Sequence, residues 1–152
     1  MTSFSLPHAR SASMAFPATR LAGWGFTVLR IGAGALFMQH GLQKLFGLFG
    51  GMGAPGASVP LMSQLGLAGA LETFGGLLLV LGLLTRPVAV ILLGEMLYAF
   101  LTVHAPQGGV PLQNGGELAL LYAVIFVFLF ANGAGPISFD HVLFHRRDRA
   151  DG

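Results

Sequence analysis

The 152 residues are 54% hydrophobic and 9% charged, with a mean hydropathy of +0.74, whereas soluble domains carry about 25% charged residues. That excludes an ordinary soluble globule, and a net charge of +2 with no basic patch interleaved with aromatics excludes a nucleic-acid-binding surface. Cysteine is absent, which excludes dithiol catalysis, a cysteine-ligated metal and covalent haem, so a redox role would need a bound cofactor or a partner protein.

Residues 1–20 are polar, contain two prolines and lack the compact apolar region of a secretory signal. They read as a cytoplasmic tail. A spanning helix needs about 20 mostly apolar residues, and the first candidate covers 21–46. The loop GLFGGMGAPGASVP follows, punctuated by glycine and proline. The second span covers 62–84 and is broken at Arg86-Pro87, because the residue before proline disfavours helix. The third covers 87–104, starting on a proline suited to a first helical position. After APQGGVPLQ, the fourth covers 114–132. Residues 136–152 read as a basic cytoplasmic tail.

Loop charge sets the expected orientation. Arg10, Arg20, Arg86, Arg146, Arg147 and Arg149 all fall on one side, whereas loops 47–63 and 105–113 contain no lysine or arginine. The positive-inside rule then places both termini in the cytoplasm, with Arg86 as the charge that fixes the short turn there. The expected fold is all-α: a polytopic membrane protein in which 21–135 form a four-helix up-down-up-down bundle. The alternation of long loop and tight turn suggests two helical hairpins, with glycines such as Gly34, Gly69 and Gly76 letting helices approach closely.

Six charged residues lie within the apolar region: Arg30, Lys44, Glu72, Arg86, Glu95 and Glu117. A charge in hydrocarbon costs about 2.5–3.5 kcal/mol on insertion scales, so such groups face an interior or a cavity. Counting the helical rise from the span ends puts Arg30, Glu72 and Glu95 in the inner and middle layer, with Arg30 and Glu72 as the expected intramembrane ion pair. His40, Lys44, His104, Asn114 and Glu117 fall near the outer ends of their helices. On the first span Arg30, Phe37, His40 and Lys44 share a stripe. Lys44 and Glu117 could close that end as an ion pair, and Asn114 reads as the cap of the fourth helix. Glu95 is out of phase with His104 unless the third helix distorts before Pro106. It aligns with Tyr98 and Thr102, on a face turned to a neighbouring subunit or, with the carboxyl protonated, to lipid. No metal site is expected, since two histidines and one nearby acid make a thin ligand set.

The strings HGLQKLFG at 40–47, ETFGGLLLVLGLLTRP at 72–87, NGGELALLY at 114–122 and GPISFD at 135–140 resemble the DoxX family over residues 24–140. The resemblance implies a small four-helix inner-membrane protein, related to the membrane subunits of thiosulfate:quinone oxidoreductase. It picks out His40, Lys44, Glu72, Arg86, His104, Asn114 and Glu117; Glu95 falls outside the motif.

The expected function is therefore a small subunit of a redox system in the cytoplasmic membrane, exchanging reducing equivalents with a quinone. In this reading His40, Lys44, His104, Asn114 and Glu117 bind the headgroup, while His40 and Glu117 handle protons as the catalytic pair. Electrons would come from a partner protein. The rival readings are a non-catalytic anchor or assembly subunit, and a small-solute or proton carrier, for which four spans would need a homo-oligomer.

Overall fold

The computed structural model describes the backbone of residues 18–148 and the side chains of 21–143. The tail 1–17 and the side chains of Arg10, Arg20, Arg146, Arg147 and Arg149, on which the expected orientation leans, lie outside these described residues. Helix is the regular structure of the described residues, with no strand among them: α1 (Ala18–Phe46), α2 (Gln64–Leu81), α3 (Thr85–Ala99), a short α4 (Pro111–Asn114), α5 (Glu117–Asn132) and α6 (Phe139–Asp148). Three helical stretches, Leu21–Phe46, Gln64–Leu81 and Thr85–Gln107, are long and apolar enough to cross a bilayer. The expected fourth, α5, is as apolar but has 16 residues, about 24 Å of helix.

The bundle is two antiparallel hairpins set side by side, α1 with α2 and α3 with α5. Glycine makes the first hairpin tight. A Cβ on Gly34 would meet the Gly76 carbonyl oxygen at 2.8 Å, and one on Gly41 would meet Thr73 Oγ1 at 2.3 Å and the Gly69 carbonyl at 2.5 Å. Gly34 and Gly41 are seven apart, as are Gly69 and Gly76, so the two pairs stack along one face of each helix. Between the hairpins, Phe37 of α1 lies 4.8 Å from the Tyr122 ring and 5.0 Å from the Phe126 ring of α5. Leu79, Ala89, Leu92 and Leu129 complete the buried centre. Around the perimeter Leu71, Phe74, Leu77, Val124 and Phe130 are exposed, the arrangement expected where lipid rather than water is the solvent.

The two ends of the bundle are built differently. At the loop end, the 47–63 segment folds back so that the Val59 amide donates to the Lys44 carbonyl at 2.9 Å. Ser63 then caps α2, its hydroxyl accepting from the Gly66 amide at 3.1 Å. At the turn end α2 stops on Gly82, whose φ of 66° is left-handed, a conformation that glycine adopts without a Cβ penalty. Here α3 begins at Thr85, two residues before the expected start at Pro87. Asp140 caps it: the Leu84 and Thr85 amides donate to its carboxylate at 2.8 and 2.9 Å. An acid is favourable there because the first N–H groups of a helix lack intrahelical acceptors. The segment after residue 135, expected to be a tail, is thus tied into the bundle and continues as α6.

The third helix does distort before Pro106. Residues 100–104 form a π-helical turn, followed by a 3-10 turn at 105–107. Such turns insert an extra residue into the helix and commonly mark functional sites. The distortion does not unite Glu95 with His104. Instead it turns the His104 ring toward the loop before α5.

Candidate functional site

Lys44, near the last turn of α1, reaches back along its helix, as side chains do because Cα–Cβ bonds tilt toward the N-terminus. Its ammonium donates to Glu72 Oε1 of α2 in an ion pair. Glu72 is 3% exposed, and its other oxygen, Oε2, is buried with no hydrogen-bond partner. Across the α2–α3 seam stands Glu95, both of whose carboxylate oxygens are also buried without partners. Lys44, Glu72 and Glu95 line one cavity of about 390 Å³, together with Gln64, Tyr98 and the apolar Leu65, Leu71, Ile91 and Met96. A second, wholly apolar groove of about 460 Å³ continues along the same seam, sharing Leu67, Leu71 and Ile91 and passing Phe74, Gly75 and Leu92. The seam therefore has a polar head and a long apolar extension.

This geometry corrects the expected ion pair between Arg30 and Glu72. The register that sets Gly34 against Gly76 places Arg30 opposite residue 80, at the turn end. Its guanidinium donates to the carbonyls of Leu79, Val80 (2.9 Å) and Ile137 (2.5 Å). It adds a donor to the Leu79 and Val80 carbonyls at the C-terminus of α2, where a cation also complements the helix dipole. Glu72 belongs with Lys44, so the expected Lys44–Glu117 pair does not form either.

The five residues expected to bind a headgroup are dispersed. His40 sets its ring edge-on to Tyr122, with centroids 6.2 Å apart. His104 Nδ1 donates to the Asn114 carbonyl at 3.0 Å, since a carbonyl can only accept. The Asn114 amide donates to the Gly108 carbonyl at 2.6 Å, and its oxygen accepts from the Gly116 amide at 2.8 Å. His104 and Asn114 thus pin the loop that enters α5. Asn114 closes α4, and the residue that caps α5 is Gly116. Glu117 is exposed on the first turn of α5. Arg86 is exposed and donates to the Ala131 carbonyl at 3.4 Å. No three histidine or acidic side chains converge to hold a metal ion among the described residues.

The sequence reading missed Glu95, Gln64 and Tyr98 as parts of the cavity. The three-residue spacing of Glu95 and Tyr98 places them on one face, but only the α2–α3 register shows that this face meets Glu72.

Fold and site define a multi-pass α-helical membrane protein with a charged cavity that opens onto an apolar groove. Comparison with known proteins places it further: the DoxX family model matches residues 25–105, and the chain belongs to the DoxX family. It is 39% identical over 125 residues to an uncharacterized protein of Haemophilus influenzae, covering 78% of this chain and 90% of that one. It is 28% identical over 126 residues to a Bacillus subtilis protein named "Putative oxidoreductase CatD", covering 79% and 87%. No solved structure matches the chain.

Proposed function

We propose that the chain is the small membrane component of a redox system in the cytoplasmic membrane, binding a quinone in the α2–α3 seam. The observation that carries this reading is the junction of the Lys44–Glu72–Glu95 cavity with a wholly apolar groove. An amphipathic molecule with a compact polar ring and a long isoprenoid tail matches both halves. Sites for such ligands are mostly apolar with a few convergent polar groups. Lys44 would donate to a ring carbonyl, and Glu72 and Glu95 stand where protons are needed. A bound quinone supplies acceptance of two electrons and two protons. The chain lacks cysteine, so electrons arrive from a partner protein. The name carried by the Bacillus subtilis relative agrees with redox chemistry.

In this reading proton handling moves from His40 and Glu117 to the two cavity carboxyls. The test is gentle purification followed by mass spectrometry and absorption spectroscopy of the bound lipids. Quinone should co-purify, be lost in Lys44→Ala and be retained in Glu117→Gln. A preparation that holds no quinone and fails to bind added quinone would overturn the proposal. Recovery of a stable protein partner with no small molecule would support an anchor subunit instead.

A further inference from the structure

The seam holds one cationic and two acidic side chains, so one acid has no cation to balance it. Lys44 and Glu72 form an ion pair in which the Glu72 side chain is buried and the Lys44 side chain partly so. Glu72 Oε2 and both oxygens of Glu95 are buried and have no partner. The groups close enough to influence them are few. From α1 they are Lys44 and, one turn away, His40, whose ring faces Tyr122. From α5 there is Tyr122, and from α3 itself Tyr98, beside the neutral Gln64 of α2. Lys44 supplies the cation of this set. A second carboxylate would be an uncompensated charge in an apolar wall, where an isolated ion takes up a proton rather than remain charged.

We propose that Lys44, Glu72 and Glu95 form a proton-binding site, in which Glu95 carries one exchangeable proton while Lys44 and Glu72 remain an ion pair. The cavity then presents a carboxylic acid O–H to whatever enters from the apolar groove. Its ligand class is a hydrogen-bond-accepting lipophile, which receives the Glu95 O–H as a hydrogen bond while Lys44 and Glu72 stay paired. The site does not require that the ligand be a quinone, and it can be tested without one.

An apolar carbodiimide added to membranes containing the intact protein provides the test. It reacts with a carboxylic acid: the acid proton moves to nitrogen, the carboxyl oxygen bonds to the central carbon, and acyl transfer leaves a stable N-acylurea. Peptide mass mapping at neutral pH should find the label on Glu95, absent in Glu95→Gln. In Glu72→Gln, Glu95 should become the ionised partner of Lys44, and its labelling should fall roughly tenfold or more, as an adjacent cation favours the carboxylate. In Lys44→Gln both carboxyls should be acids and both should be labelled. Infrared difference spectra supply a second readout that needs no reagent to reach the site: a protonated-carboxyl C=O band lost in Glu95→Gln and kept in Glu117→Gln. Absence of that band, or undiminished Glu95 labelling in Glu72→Gln, overturns the proposal. Failure of quinone to bind while the band and labelling pattern persist overturns the quinone reading alone.

Discussion

At the scale of single residues, two cations that look alike in the sequence have opposite surroundings. Arg30 is 1% exposed and satisfies backbone carbonyls from two separate segments; Lys44 neutralises one carboxylate. Arg30→Lys should therefore behave almost as badly as Arg30→Met, because an ammonium cannot reproduce a planar fork. Each charged hydrogen bond lost costs about 1.5–3 kcal/mol, read as a lower unfolding midpoint in detergent. For Lys44 the expectation differs. Lys44→Ala strands Glu72 in the interior and should cost about 3–5 kcal/mol, the usual penalty for breaking a buried pair. Lys44→Met with Glu72→Met removes both charges and should recover most of that loss. If the double variant were no more stable than the single one, the pair would not be the source of the effect. Arg30 and Glu72 were mismatched in the sequence reading because depth was counted from span ends. α1 overhangs α2 at the turn end, and Lys44 leans back toward the middle, so counts from span ends do not give relative depth.

At the scale of elements, the α1–α2 hairpin is the part most readable from sequence once register is considered. The seven-residue spacing of Gly34 with Gly41 and of Gly69 with Gly76 is printed in the chain, and it alone would have set Arg30 against the end of α2. Gly41→Leu should wedge the helices apart at a cost of about 1–3 kcal/mol, measurable as a lower thermal midpoint, while Gly25→Leu, where an added Cβ meets nothing within 4 Å, should be tolerated. The cap on α3 was harder to foresee. Asp140 lies 56 residues from the amide of Leu84 to which it binds, and no local pattern reports a contact of that range. Asp140→Ala should cost roughly 0.5–2 kcal/mol, the range for loss of an N-cap, and hydrogen exchange should rise first at residues 84–86. The π-helical turn at 100–104 was anticipated only as a condition, through the mismatched phases of Glu95 and His104.

At the scale of the whole molecule, apolar composition was sufficient to establish a helical membrane protein, because a bilayer leaves few alternatives for a chain so poor in charge. It could not specify which charges would meet, since that depends on register between helices. The absence of cysteine makes the orientation easy to test. Single cysteines at Ala57 and His141 should respond oppositely to a membrane-impermeant maleimide in intact cells. Ala57→Cys should be modified directly, and His141→Cys only after permeabilisation.

The long-range ties between segments sit mainly at one end. Arg30 joins α1, α2 and the 137 segment, and Asp140 joins that segment to the start of α3; cavities border both ends, but among the described residues no hydrogen bond joins α2 to α3 beside Lys44 and Glu95. Mechanically this is a clothes-peg: a sprung joint at one end and jaws at the other. Opening should be graded along its length. Spin labels at positions 65 and 103 should show a broader distance distribution than labels at 81 and 90, and a bound lipid should narrow it from the jaw end.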